Sequence, residues 1–282
     1  MNLTNLHDLP AAIVAAVAND PYSGGGDISA TKLIDAPQIR QLTGKHRHEI
    51  QVDVSERMWT LLGQAMHTIL ERAGAKADGV IVERRLFAEI SGWQVSGQFD
   101  ALHLESGTLS DYKVCTTFKK DGSDSWTRQL NVLRWLAHQN GYTIQRLEVI
   151  ALFRDWRKGE ALKSPDYPQA PMKRIDIPLW DLATTEAYIA QRVALHQQHM
   201  AGNTVPCTDE ERWYSGTTYA LTKPGAKRAL RVASTREALG EQDGYTVEER
   251  PGKFRRCEQF CDVAAFCPQW RDTLLMTEVH DA

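Results

Sequence analysis

Residues 93–115 read W-Q-V-S-G-Q-F-D-A-L-H-L-E-S-G-T-L-S-D-Y-K-V-C. Ser106-Gly107 marks a hairpin turn and divides the stretch into strand-like runs 93–105 and 108–115. Residues two apart on a strand share a face. Ser96, Gln98 and Asp100 therefore point one way, and Val95, Gly97 and Phe99 the other. Asp111 and Lys113 also share a face, and folding the hairpin sets Asp100 beside Asp111. Paired carboxylates suit Mg²⁺ or Mn²⁺, which prefer oxygen ligands. Such an ion polarises a phosphate and lowers the pKa of its bound water. Lys113 can orient that water or offset transition-state charge. The bland alternative is a solvated D-x-K ion pair, worth about 0–1 kcal/mol.

The flanking sequence places this hairpin in a larger layer. Residues 79–90 read as a third strand. Residues 55–74 carry Met58, Leu61, Leu62, Ala65, Met66, Ile69, Leu70 and Ala73 at helical spacing, with Ser55 as N-cap and Gly74 as the stop. A second amphipathic helix spans 124–139, with Trp126, Leu130, Leu133 and Ala137 on one side. Residues 144–153 read as a strand. The order helix, three strands, helix, strand predicts an α/β fold with a mixed sheet flanked by helices. Residues 164–178 hold four prolines and predict a long connection, and 179–200 predict a helix.

Three regions are expected: a leader and helical segment over 1–54, a core over 55–200, and a cysteine-bearing region over 201–282. Residues 19–28 are turn-rich and read as a flexible leader. No repeat is visible. A net charge of −3 advertises no global basic field. A local groove can still be basic. The N-terminus lacks the basic start of a signal peptide, and no apolar run approaches the roughly 18 residues of a spanning helix. The expectation is a soluble, cytoplasmic chain with no membrane partner. In a reducing compartment its five cysteines point to metal or catalysis.

Two features flank the acidic hairpin. Gly63, His67 and Glu71 recur every four residues along one stripe of the first helix. Gly63 would admit a close backbone, and His67 offers an imidazole to a metal. A lone His beside an apolar stripe is more often a core residue. Gln129 opens the helix after Lys113, where an amide can hydrogen-bond a phosphate or water.

The ordered set Gly63, His67 and Glu71, then Gly97 and Asp100, then Asp111 and Lys113, then Gln129 resembles the RecB-type branch of the PD-(D/E)-x-K nucleases. The resemblance covers roughly residues 29–153 and implies a restriction-endonuclease-like core. It implies that His67, Asp100 and Asp111 bind Mg²⁺ or Mn²⁺, with the carbonyl of Tyr112 as a further ligand. It implies that Lys113 assists the attacking water and that Gln129 positions the site. Where the family often has Tyr four residues after the Gln, this chain has Leu133.

Cys257, Cys261 and Cys267 form C-x3-C-x5-C, and Cys207 lies 50 residues before the first of them. Four thiolates suit zinc or an iron–sulfur cluster, though structural zinc usually takes two close pairs. Buried free cysteines are the plain alternative. The three-plus-one set is similar to that of AddB-like helicase-nucleases, CRISPR-adaptation exonucleases and their phage-encoded relatives. That resemblance implies a [4Fe–4S] cluster clasping the C-terminal region. In those proteins the remote cysteine lies before the core in a Cys-Pro step. Here that step is Ala36-Pro37, and Cys207 has to supply the fourth thiolate. Cys115 reads as a buried strand residue.

Lys119, Lys120 and Arg128, then Lys223, Lys227, Arg228 and Arg231, then Lys253, Arg255 and Arg256 are candidate phosphate contacts. Trp126, Trp213 and Tyr214 are candidate stacking platforms. For most of these a solvated surface role is the simpler reading. The reading favoured is a metal-dependent exonuclease acting on single-stranded DNA ends, in recombination or repair. The rivals are a structure-specific endonuclease on the same core and a non-catalytic DNA-binding module with a structural metal. A homo-oligomer or a recombination partner protein is left open, since a ring or dimer would enforce processivity.

Overall fold

A two-residue turn organises the sheet. Ser91 and Gly92 both take positive φ (52° and 76°), and Ile90 pairs with Trp93. That is the conformation that matches the right-handed twist of a hairpin. The computed structural model describes residues 2–19, 24–240 and 242–280. In chain order it contains β1 (Asn2–Thr4), α1 (Ala11–Ala18), β2 (Ile28–Ser29), α2 (Ala30–Leu33), α3 (Pro37–Lys45), β3 (Gln51–Asp53), α4 (Met58–Gly74), β4 (Val80–Ile90), β5 (Trp93–His103) and β6 (Thr108–Cys115). There follow α5 (Asp124–Gln139), β7 (Arg146–Phe153), α6 (Lys158–Lys163), β8 (Met172–Ile177), α7 (Leu182–Met200), β9 (Thr218–Thr222), β10 (Arg231–Ala233), β11 (Thr246–Arg250), α8 (Arg255–Gln259) and α9 (Pro268–His280).

The chain forms two compact units. The first, Met1–Pro37 with His48–Thr204, is the expected α/β layer. Its mixed sheet runs β2-β5-β6-β7-β8, with β4 on the other edge of β5. β4 and β6 are antiparallel to β5, whereas β2 is parallel to it and β7 is parallel to β6. β6 pairs β5 only from Ala101–Ser110 to His103–Thr108, while β2 pairs it at Val95 and Ser96. The edge of β5 between these contacts is a fork, and Asp100 and Asp111 stand at its crotch.

Helix α5 covers the core face with Leu130, Leu133 and Leu136, all buried. Gly97 makes this possible, because a Cβ there would lie 2.5 Å from Leu133 Cδ2 and 2.7 Å from Leu136 Cδ1. Asn131 pins the next turn by donating to Pro178 O and accepting from Trp180 N.

Several expectations change. The helix expected over 55–74 begins as a 3-10 turn, and its cap is Asp53, which accepts from Ser55 N, not Ser55 itself. No residue of α4 is buried. Met58, Leu62 and Ile69 on the apolar stripe are exposed, because the helix turns its polar face inward over the fork. Gly63 meets nothing within 4 Å, so it admits no close backbone. The connection expected over 164–178 holds β8, an edge strand framed by Pro171 and Pro178. Trp126 is buried beneath the Lys119 ammonium and is not a stacking platform. Of the leader expected over 19–28, residues 20–23 lie outside the described residues.

The second unit joins Gln38–Arg47, most of α3, to Val205–Ala282. Residues 38–47, expected in the N-terminal segment, thus group with the cysteine-bearing region. Its sheet is antiparallel, in the order β10-β9-β11. Among the described residues, no helix is long and apolar enough to cross a membrane.

Candidate metal centre

The fork opens into a pocket lined by His67, Asp100, Asp111, Lys113 and Gln129. Five of the residues expected at the site are therefore brought together. Gly63 lines the same pocket, whereas Glu71 is exposed and does not. Asp100 Oδ2 accepts from Tyr112 N at 2.6 Å, which ties the two arms of the fork.

The structure adds Glu83. The β4–β5 register places it opposite Asp100, between the pairs Val82–Ala101 and Arg84–Phe99. His67, Glu83 and Asp100 each offer a ligand atom, all within 4.8 Å of one another. His67 Nδ1 lies 3.4 Å from both Glu83 Oε1 and Asp100 Oδ1. Glu83 holds φ at 47°, left-handed in mid-strand. Such strain costs of order 1–3 kcal/mol and collects at functional sites. Gln98 Nε2 donates to Glu83 Oε2 at 2.5 Å, and Arg85 donates to Gln98 Oε1 at 3.1 Å. Two or three carboxylates around one imidazole leave a negative focus that a hard cation can neutralise. A signal for Glu83 did exist: the Ser91-Gly92 turn fixes the register that puts it across from Asp100.

The electrostatics follow from these contacts. The hydrogen-bonded carboxylates of Asp100 and Glu83 push the His67 pKa up to about 10, against its partial burial. Burial pushes Asp111 up to about 6. Lys113 opposes that shift and the Asp100 charge adds to it. Burial alone would lower the Lys113 pKa, but the charges of Asp111 and Asp100 outweigh it and the net direction is upward. Lys113 Nζ is 2.8 Å from Asp111 Oδ2. That buried oxygen has a cation beside it but no hydrogen bond of good geometry. An under-satisfied buried carboxylate oxygen facing a pocket fits a metal ligand.

In the second unit Cys207, Cys257, Cys261 and Cys267 line one small cavity together with Gln38. Gln38 is 3% exposed. Its Nε2 donates to Cys267 Sγ at 3.2 Å, and its Oε1 accepts from Cys207 Sγ at 3.7 Å. The Gln269 amide bonds both the N–H and the carbonyl of Cys207. Burial pushes the Cys207 thiol up to about 12, with Glu211 and the other three cysteines adding to it. Tetrahedral zinc with 2.3 Å bonds would hold its sulfurs about 3.8 Å apart. Among the described residues no three cysteine sulfurs lie within 4.8 Å of one another. The four share a cavity but are not drawn into a closed thiolate set. Cys115 is half-buried rather than buried.

No family model and no curated protein matches the chain. Among solved structures, it is similar to a protein named SSO0001 at 16% identity and a TM-score of 0.49, covering 72% of this chain and 90% of that one. It is also similar to a phage-related exonuclease from Haemophilus somnus 129PT at 9% identity and a TM-score of 0.31, covering 69% and 83%. At these values neither likeness bears on function.

Proposed function

We propose that this chain is a divalent-metal-dependent nuclease of the RecB type that degrades DNA, acting as an exonuclease on single-stranded ends. The observation that carries the reading is the convergence of His67, Glu83 and Asp100 beside the Asp111–Lys113 pair in one pocket. Glu83, Asp100 and neutral His67 would hold Mg²⁺ or Mn²⁺, with Asp111 and the Tyr112 carbonyl completing the set. When bound, such an ion supplies Lewis acidity and a water of lowered pKa.

The chain's own groups do the remaining work. Lys113 stays protonated against Asp111 and presents an ammonium to a phosphate or to the attacking water. Gln129, on the first turns of α5, offers an amide to the same phosphate. Gln98 and Arg85 hold Glu83 in place, as outer partners of a ligand do. In the second unit, four thiols and the Gln38 amide around one cavity support a thiolate-bound metal, a [4Fe–4S] cluster or zinc.

The test uses 5′- and 3′-labelled linear single strands and a circular single strand with Mn²⁺. Degradation of the linear strands with the circle spared is the expected result. Cutting of the circle would mean an endonuclease. A folded protein that cuts nothing, or an Asp111→Ala/Lys113→Ala variant as active as the wild type, would sink the assignment.

A further inference from the structure

Residues 212–236 contain six Arg or Lys and no Asp or Glu. At the average acid density of this chain about three would fall in such a stretch, and the whole chain is net negative. The basic stretch is therefore segregated along the sequence; in the fold β11 sets Glu248 and Glu249 opposite Ala220 and Tyr219 of β9, and the cations gather beyond them at the turn. β9 and β10 are antiparallel, with Thr218–Thr222 leading up and Arg231–Ala233 leading back. Leu230 N donates to Leu221 O at 2.8 Å and closes the loop.

At the tip, Ala226 N donates to Lys223 O at 2.9 Å, and Gly225 holds φ at 79°. Pro224 and Gly225 thus occupy the two central positions of a type II turn, where proline and a positive-φ glycine are favoured. The turn presents Lys223 on one side and Lys227 and Arg228 on the other, all exposed. Among the described residues no carboxylate pairs with any of these three. Arg231 follows at the base, its guanidinium donating to Leu239 O.

A pre-ordered turn with three exposed cations, none of them in an ion pair among the described residues, is an electrostatic footprint for phosphates. An acidic protein is the other candidate; the exposed cations of the turn suit a repeating polyanion, and the oligonucleotide arms of the test decide. The geometry points to the β9–β10 tip, through Lys223, Lys227 and Arg228, as a nucleic-acid backbone contact in the second unit. The idea rests on the nuclease reading for its substrate, but not on the metal centre.

The test compares the full chain with Lys223→Gln/Lys227→Gln/Arg228→Gln, using labelled single- and double-stranded oligonucleotides in EDTA so that nothing is cut. Each lost phosphate contact should flatten the log K against log salt slope by about 0.7–0.9. For three contacts, the wild type should lose roughly 20–40-fold more affinity than the variant between about 50 and 200 mM salt. The arm with the larger change tells whether the ribbon meets a single strand or a duplex. With Mn²⁺ the variant should show a raised KM and an unchanged kcat, as for lost uniform binding. Equal slopes for wild type and a variant of unchanged melting temperature would overturn the proposal. A wild type that binds nucleic acid with the expected slope difference but never cuts would overturn the nuclease reading and leave the ribbon contact standing. A wild type that binds no nucleic acid would overturn both.

Discussion

Glu83 and Asp100 face each other across the β4–β5 ladder, and their carboxylates reach the same His67 nitrogen at 3.4 Å. Like charges set opposite on a sheet are destabilising, so the pair is held by what lies between them: a proton on His67 or a cation. Glu83→Gln keeps the shape and removes one charge. It should weaken Mn²⁺ binding by tenfold or more, about 1.4 kcal/mol, while the metal-free melting temperature changes little. Calorimetric titration with Mn²⁺ measures the first and thermal melting in EDTA the second. Unchanged Mn²⁺ affinity would remove Glu83 from the ligand set.

The same proton makes metal binding pH-dependent. The His67 pKa is raised from 6.5 to about 10. A base raised on folding contributes stability that is full below its unfolded pKa and lost as pH rises through the folded one. In EDTA the wild type should therefore lose melting temperature relative to His67→Gln between about pH 7 and pH 10. A metal must displace that proton, so the gain in melting temperature on adding Mn²⁺ should grow over the same window. Asp111, raised to about 6, adds a second rise in metal binding between pH 5 and 7 as it ionises. A Mn²⁺ effect that shrinks as pH rises would contradict this account.

Lys113→Met leaves Asp111 buried without its cation. Breaking such a pair typically costs roughly 3–5 kcal/mol, and Asp111 can limit the loss by taking up a proton. A buried acid with a raised pKa destabilises increasingly as pH climbs from its unfolded value through its folded one. The variant should therefore lose more stability at pH 8 than at pH 5, and Asp111→Asn on top should restore part of it. Activity should fall by about 10²–10³, as when one transition-state donor is removed. Urea melts at the two pH values check the first claim; a penalty independent of pH would refute it.

Gly97→Ala places a methyl 2.5 Å from Leu133 Cδ2. Overpacking of this kind costs typically 1–3 kcal/mol. Because α5 also carries Gln129, the shift should lower activity beyond the stability loss. Leu133→Ala makes room, so the double variant should be more stable than the sum of the single effects implies. Strict additivity in a denaturation cycle would mean that the two positions do not press on each other.

The acidic hairpin was legible because its strands alternate cleanly and Ser106-Gly107 fixes the turn, so Asp100 had only one place to go. Helix α4 was legible as a helix but not in its facing. Periodicity reports an apolar stripe without saying what covers it, and here the polar face over the fork decided the orientation. β8 was hidden because Pro171 and Pro178 look like loop residues, though both stand just outside the strand where prolines are tolerated. Glu83 was recoverable from the Ser91-Gly92 register. Gln38 was not, since its contacts to Cys207 and Cys267 span 169 and 229 residues and leave no local trace.

That long-range amide gives the cysteine site its sharpest test. If thiolates hold a metal group in the cavity, its binding is coupled to folding of the second unit. Cys257→Ala should then lower both the metal content of anaerobically purified protein and the melting temperature. Gln38→Leu removes no ligand, only the amide beside Cys207 and Cys267. Loss of an outer hydrogen-bond partner typically weakens metal retention 10–100-fold, so the variant should fold but release its metal to a chelator faster by about that factor. Iron with matching acid-labile sulfide identifies a cluster, and zinc alone identifies the competing site. Free, half-buried thiols predict no metal in any variant, with Cys257→Ala costing little stability.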